Sequence, residues 1–472
     1  MAKLYDLAII GGGSGGLSTA VGAAKLGAKV ALIEKNKLGG ECLWTGCVPS
    51  KALIKVAEVA RTVATHREYG LKASKVEVDF PKVLGYVQKV IKKIEPNDSP
   101  ERMRSLGIDV FFGAGSFKDR NSFVVGSKTV RAKRFVISTG SSPYKFPLQG
   151  LEEAGYLTNE TVFTNKVFPK TFLIIGGGPI GSEMAQAFSR LGSKVFIFVR
   201  GDHILSKEDP EAAEVVESAF EREGITIVRN AELVRVERKG KKKIIHYKVK
   251  GKSLSQSGDE ILLAIGRSPN TQGLNLDGIG VKYDKRRIHV DSRLRTSVKN
   301  IYAIGDVKGG LMFTHTASYE AGVVIMNALF HFPAKADYRV VPWTTFTDPE
   351  LARVGITSSQ ARERGIKHVV SRFDLAHNDR AQTENEPEGF IKAVTDKKGR
   401  ILGVTIVGKS AGELIAEYAL AMKNGLKLQD IYKTIHTYPT LALANQQLVG
   451  KFLEKKLTPF AKRLLKFIFR FG

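Results

Sequence analysis

Cysteine is nearly missing from this chain: Cys42 and Cys47 are the only two among 472 residues. No second Cys or His pair stands near them to complete a four-ligand set, so no metal site is expected. No apolar run reaches the roughly 18 residues needed to cross a bilayer. No secretory signal is visible, because residues 1–6 lead into a short strand and a glycine run follows at once. A reducing, cytoplasmic setting is therefore expected. Acidic residues are outnumbered, 47 Asp and Glu against 73 Lys and Arg, for a net charge of +26. That excess points to nucleic acid, an anionic membrane surface or acidic partners. With no helix-turn-helix, zinc-finger or RNA-binding signature, nucleic acid is not expected as a partner.

What is present is organised around residues 39–51, Gly-Gly-Glu-Cys-Leu-Trp-Thr-Gly-Cys-Val-Pro-Ser-Lys. Thiols one and a half helical turns apart close into a disulfide only where the backbone departs from a regular helix, and Gly46 and Pro49 permit that. A pair so placed is more often redox or metal chemistry than a structural staple. With metal set aside, a redox-active Cys42–Cys47 disulfide is expected rather than two unrelated core thiols.

Just upstream, residues 7–10 form a short apolar strand, followed by a glycine turn, a helix to about Leu26, and a second strand ending in Glu34. Gly11, Gly13 and Gly16 hold the G-x-G-x-x-G positions, with Ser14 between them, so a pyrophosphate is expected on the helix N-terminus. Glu34 is the acid that accepts hydrogen bonds from ribose hydroxyls. The pattern recurs at Gly176, Gly178 and Gly181 after an apolar strand at 172–175. Here Val199 stands at the position of the acid and Arg200 follows. The 2′-hydroxyl of NADH loses its acceptor and a 2′-phosphate gains a cation, so NADPH is favoured over NADH. Two fingerprints imply two nucleotides, a bound flavin dinucleotide and an exchanging nicotinamide.

The length suggests about three domains. Residues 52–100 read as helical with breaks at Gly70 and Pro81, residues 111–130 as strands and turns, and Pro143, Pro147 and Gly150 mark a boundary near 148. Residues 231–260 read as a small antiparallel hairpin. Residues 261–270 and 301–306 are buried strands followed by turns, the second ending in Asp306, either a turn cap or the holder of a polar ligand. From Val341 the pattern is α+β. In the last stretch, Phe460, Leu464, Phe467, Ile468 and Phe471 share one helical face, and Lys462, Arg463, Lys466 and Arg470 share the opposite one. Such a basic amphipathic helix suits an anionic membrane surface, or packs its apolar face on the protein body or a dimer partner.

Taken together, the first fingerprint with Glu34, the 39–51 segment, Ser-Thr-Gly-Ser at 138–141, the second fingerprint ending in Glu183, Ile-Gly-Arg at 265–267 and Ala-Ile-Gly-Asp at 303–306 resemble the class I pyridine nucleotide–disulfide oxidoreductases. The resemblance covers roughly residues 4–445. It implies an α/β fold with two Rossmann-like dinucleotide-binding domains plus a C-terminal α+β dimerisation domain. The FAD-binding domain would take residues 1–148 and 267–338, the NAD(P)-binding domain 149–266, the interface domain of a homodimer 339–458, and the basic tail 459–472. FAD would be held by Gly11, Gly13, Ser14, Gly16, Glu34, Lys51, Gly115, Thr139, Gly140, Ser141, Asp306 and the 312–315 turn with Met312 and His315. The nicotinamide side would use Gly176, Gly178, Gly181, Glu183, Arg200 and Gly266. Lys51 would pair with Glu183 behind the flavin. By the same resemblance, electrons pass from nicotinamide through flavin to the disulfide, with Cys47 nearer the ring and Cys42 facing the substrate.

The departures concern the acceptor. Disulfide-reducing members carry a His–Glu dyad as acid and base for the interchange thiol. Here Tyr438 takes the His position and Leu443 the Glu position, and a phenol with a pKa of about 10 is a poor base at neutral pH. His436, two residues earlier, compensates only if the loop shifts. Mercuric reductase also lacks the His, and Phe-Thr-Asp-Pro at 346–349 resembles its version of that segment. Its C-terminal cysteine pair and N-terminal metal-binding domain are not found here. Trp44, between the cysteines, either narrows the substrate side or fills the core. The expected function is a mercuric reductase-like FAD enzyme passing electrons from NADPH to a small acceptor: a soft metal ion, a quinone or another electrophile. The alternatives are a membrane-surface NAD(P)H:quinone reductase, a dihydrolipoamide dehydrogenase-type disulfide reductase, and an interaction protein whose turnover is secondary.

Overall fold

The computed structural model describes residues 3–72, 76–454 and 459–470. Its first sheet runs Asp109–Phe112, Val30–Glu34, Leu4–Ile10, Lys128–Ile137, Ser122–Val125 and Gly115–Asp119, with Ile301–Ala303 also paired to Lys128–Ile137. Leu7, Ala8 and Ile9 are fully buried, as a strand covered on both faces requires. The parallel register sets Ile10 beside both Ile33 and Ile137, and Ile137 beside Ala303. Four strands therefore end on one line, where open α/β sheets bind their ligands.

The second sheet, Thr226–Val228, Lys194–Phe198, Thr171–Ile175 and Glu260–Leu263, is all parallel. Ile175 lies opposite both Phe198 and Leu263, so these strands also end together. The antiparallel pair Ser141–Pro143 and Arg267–Pro269 bridges the two units. The stretch read as a hairpin is a three-stranded antiparallel meander, Glu232–Lys239, Lys242–Val249 and Lys252–Gly258. Two turns, each with a positive-φ glycine (Gly240, Gly251), explain the extra strand.

Pro81 does not break a helix. It lies in the first turn of Phe80–Ile94, where its missing N–H costs nothing, and Asp79 caps that end by accepting from Lys82 N at 3.2 Å. The buried face Phe80, Leu84, Val87 and Ile91 packs near the helix Cys47–Ala64. Cutting any one of these to alanine costs about 2–5 kcal/mol. That packing braces the helix whose first residue is Cys47.

The C-terminal unit is a five-stranded antiparallel sheet, Pro342–Thr345, Glu350–Gly355, Ile401–Gly408, Phe390–Thr395 and Val369–Asp374. Helices Ala411–Lys423, Leu428–Lys433 and Leu443–Glu454 share its core around the fully buried Tyr418. Beyond it stands the helix Pro459–Ile468. Phe471, assigned to its apolar face from the sequence, lies outside the described residues. Among the described residues no helix is long and apolar enough to cross a membrane.

Candidate active site

The carboxyl ends of the parallel strands of both sheets open into one cavity of about 2840 Å³. Sites for one small ligand run to about 1,000 Å³, so this space takes more than one. Of the residues expected to bind cofactor, Gly11, Gly13, Ser14, Glu34, Lys51, Gly115, Thr139, Gly140, Ser141, Gly176, Gly178, Glu183, Arg200, Gly266, Asp306, Met312 and His315 all line it. Gly16 and Gly181 do not. Each lies beneath a glycine loop, where an added Cβ would strike the carbonyl oxygen of Gly11 or Gly176. They set how closely each helix approaches its strand rather than touching a ligand.

The first cradle fits a dinucleotide with a ribose near Glu34. Glu34 is buried and accepts the Gly12 N–H at 2.7 Å and the Asn36 N–H at 2.7 Å. A Cβ at Gly40, whose φ is +57°, would come within 2.6 Å of Gly13 Cα and fill the cradle. Trp44 steadies that turn: its indole N–H donates to Leu38 O at 2.7 Å, and the Lys37 ammonium lies 4.5 Å from the ring centroid. At the second cradle Arg200 is exposed on the cavity wall with His203 and Lys207. Among the described residues no cluster of three or more His, Cys, Asp or Glu side chains is placed to hold a metal ion.

The pair expected as a disulfide is present as two free thiols, its reduced form. Cys47 is exposed and lines the cavity. A hydrogen bond from the Cys42 thiol stabilises the Cys47 thiolate and lowers the Cys47 pKa. Burial opposes this; Thr314, with Oγ1 3.6 Å from the Cys47 sulfur, and the Lys51 charge support it. The same bond, with burial, pushes Cys42 up. Cys47 is therefore the thiolate of the pair and Cys42 the proton holder.

Lys51, one turn along the helix that Cys47 begins, places its Nζ 2.7 Å from Glu183 Oε2. The other Glu183 oxygen accepts the Phe346 N–H at 3.0 Å, and the Phe346 ring centroid lies 4.3 Å from the Lys51 ammonium. Three segments far apart in sequence thus meet behind the dithiol.

A second polar cluster escaped the motif reading. Arg267 ion-pairs with Glu41, donates from Nε to Ser141 Oγ at 2.7 Å and from Nη2 to Ser141 O at 2.8 Å, and lies 3.7 Å from Asp306 Oδ2. Ser141 Oγ in turn donates to Asp306 Oδ2 at 2.5 Å, and Asn159 donates to Glu41 Oε1 at 2.8 Å. Burial raises Glu41 to about 7; Arg267 opposes the rise, and Asp306, Cys47 and Glu160 add to it. The Ile-Gly-Arg motif signalled Arg267, but nothing in the spacing linked it to Glu41.

Tyr438 is not brought to the cysteines of its own chain. It is exposed and does not line the cavity, and its hydroxyl donates to Asp379 at 2.9 Å, which raises its pKa further. His436 is turned away as well: its Nε2 lies 3.0 Å from Glu417 Oε1 and its Nδ1 2.9 Å from Thr434 O.

Two nucleotide cradles facing one dithiol define a flavin-type pyridine nucleotide–disulfide oxidoreductase. Residues 5–321 match the family model for pyridine nucleotide-disulphide oxidoreductases, and residues 341–448 match its dimerisation domain. The chain belongs to that family, whose members depend on FAD and a pyridine nucleotide. It is 37% identical over 440 residues to a mercuric reductase of Lysinibacillus sphaericus, covering 93% of this chain and 81% of that protein. It is 36% identical over 444 residues to a dihydrolipoyl dehydrogenase of Geobacillus stearothermophilus, covering 92% and 93%. Among solved structures, a Cu(II) complex of the HOCl-induced flavoprotein disulfide reductase RclA from Escherichia coli superposes with a TM-score of 0.85 at 29% identity, over 94% of this chain and 99% of that one.

Proposed function

We propose that this protein is a homodimeric, cytoplasmic FAD enzyme that takes electrons from NADPH and delivers them through Cys42 and Cys47 to a soft metal ion. The observation that carries the reading is the dithiol itself, open to the shared cavity with its Lys51–Glu183 pair, while Tyr438 and His436 of the same chain lie off that cavity. Residues 1–148 and 267–338 are read as the FAD unit, 149–266 as the NAD(P) unit, and 339–458 as the interface.

Bound FAD would relay an electron pair between nicotinamide and sulfur. Gly11, Gly13 and Ser14 would hold its pyrophosphate, Glu34 its ribose, and Asp306 with Thr139, Gly140 and Ser141 its linker. Arg200 would bind the 2′-phosphate of NADPH. Lys51, neutralised by Glu183, would keep a positive charge beside the ring without leaving it unpaired in the interior. Cys47 would face the ring as thiolate while Cys42, holding the proton, meets the acceptor.

The acceptor class follows from what the site omits. A thiophilic ion displaces the thiol proton of Cys42 as it binds and needs no proton donor, whereas an organic disulfide needs one for its leaving thiol. Among the similar proteins, a mercuric reductase and a Cu(II) complex favour a metal, and a dihydrolipoyl dehydrogenase favours the disulfide alternative. In the overall balance NADPH becomes NADP⁺ plus one proton, and its two electrons reduce one Hg(II) to the metal or two Cu(II) to Cu(I). An anaerobic acceptor panel with Hg(II), Cu(II), a quinone and lipoamide-type disulfides tests the reading, run on the native and Cys42→Ser proteins. Thiol-dependent turnover confined to the metals is expected; turnover on the disulfide alone would overturn it.

A second reading, an NAD(P)H:quinone reductase at a membrane surface, is favoured by the exposed basic helix Pro459–Ile468. Quinone turnover that survives Cys42→Ser would support it.

A further inference from the structure

We propose that the helix Pro459–Ile468, with Phe469 and Arg470, is a docking element for an anionic phospholipid bilayer, lying flat in its headgroup region. This is independent of which acceptor the dithiol serves, because no residue of the helix lines the cavity.

The segment contains no acidic residue and four cations, Lys462, Arg463, Lys466 and Arg470, all exposed. On the opposite side, Phe460 is 76% exposed, Leu464 50% and Ile468 52%. At about 100° per residue, Phe460, Leu464 and Ile468 span about 80° of the helix and the four cations about 100° on the far side, with Phe469 at the edge of the cationic side. A water-facing helix normally keeps large apolar side chains turned inward, so their exposure needs an occupant.

The charge pattern selects the occupant. A ten-residue helix is about 15 Å long, too short to span a bilayer but long enough to sink three apolar side chains between headgroups. Its cations then meet lipid phosphates, and the net +26 of the chain adds long-range attraction. A second copy of this chain is the weaker occupant. The segment matching the family's dimerisation domain stops at residue 448, before this helix begins.

The test is co-sedimentation of the FAD-loaded protein with vesicles of phosphatidylglycerol and phosphatidylcholine, compared with phosphatidylcholine alone. The full chain, a chain ending at Glu454, Lys462→Glu/Lys466→Glu and Leu464→Ser/Ile468→Ser are run in parallel. Sedimentation velocity reads the oligomeric state of each. The full chain is expected to pellet with the anionic vesicles only, and to be released by raised salt. The charge reversal lowers partitioning by about thirtyfold or more. The apolar double variant and the shortened chain lose it, while NADPH-driven flavin bleaching is unchanged in all four. Equal pelleting of full and shortened chains would overturn the proposal by assigning binding to the basic body. Equal pelleting on neutral vesicles would overturn the charge selection. No pelleting, with the shortened chain changing from dimer to monomer, would overturn it in favour of the second copy.

Discussion

The Lys51 ammonium and the Glu183 carboxylate stand 2.7 Å apart although 132 residues separate them. Glu183 is buried and Lys51 half-exposed. Removing the acid leaves a cation without its partner beside the flavin site, but water reaching Lys51 screens part of that loss. Glu183→Gln is expected to slow NADPH-driven flavin reduction by about ten- to a hundredfold, equivalent to roughly 1.4–2.7 kcal/mol, with folding retained. Stopped-flow absorbance of the flavin band checks this; an unchanged rate would remove the pair from the electron path.

Glu41 supplies a pH signature. Its carboxyl is raised to about 7 in the folded protein by burial, against an ordinary value of 4.5. The folded state therefore binds a proton there that the unfolded chain has already released. The stabilisation is fully present below about pH 4.5 and is lost as pH rises through about 7. In Glu41→Gln, which has no proton to lose, that part of the decline is expected to vanish. Urea unfolding at intervals from pH 4.5 to 8 reads it as the difference between the two proteins. A parallel pair of curves would show that Arg267 keeps Glu41 ionised throughout.

Cys47 owes its thiolate character first to Cys42 and then, in part, to Thr314. A hydrogen bond of this kind is worth about 1 kcal/mol, or roughly fivefold in the ionisation equilibrium. In the reduced protein, Thr314→Val and Cys42→Ala are each expected to move the pH profile of iodoacetamide alkylation at Cys47 to higher pH. Well below the native Cys47 pKa of about 6, alkylation would slow by about fivefold, because the thiolate is the nucleophile. Profiles identical to the native protein would place the acidifying influence elsewhere.

Arg200 is expected to set the nicotinamide preference. Arg200→Glu restores an acid beside the position that Glu34 occupies in the first unit. It should raise the KM for NADPH by about tenfold or more and lower that for NADH. Initial-rate kinetics with each cofactor decides; no change would show that Arg200 does not meet the 2′-phosphate.

The parts of the site built from local sequence were readable in advance. Gly11 to Gly16 with Glu34, and the 39–51 segment, each carry their geometry in consecutive residues, so spacing and chemistry suffice. The clusters made by chain crossing were not. Glu41 and Arg267 meet only because the short strands Ser141–Pro143 and Arg267–Pro269, more than a hundred residues apart in the chain, pair with each other. Phe346 reaches Lys51 only because the C-terminal sheet packs against the second fingerprint helix. His436 is a candidate substitute base by its position in the loop alone. Its pairing with Glu417, nineteen residues back on a neighbouring helix, has no signature in the local sequence. Pro81 misled for a simpler reason: proline in the first turn and proline as a breaker look alike until the helix start is known.

Electrons are expected to leave the nicotinamide, pass a bound flavin and rest on Cys42 and Cys47. Anaerobic titration of the FAD-loaded protein with NADPH, followed by flavin absorbance and thiol counting, tests it most directly. The oxidised native protein is expected to take up about two equivalents, one for the flavin and one for the disulfide, and Cys42→Ser about one. Uptake of a single equivalent by both, with no new thiols in the native protein, would contradict it.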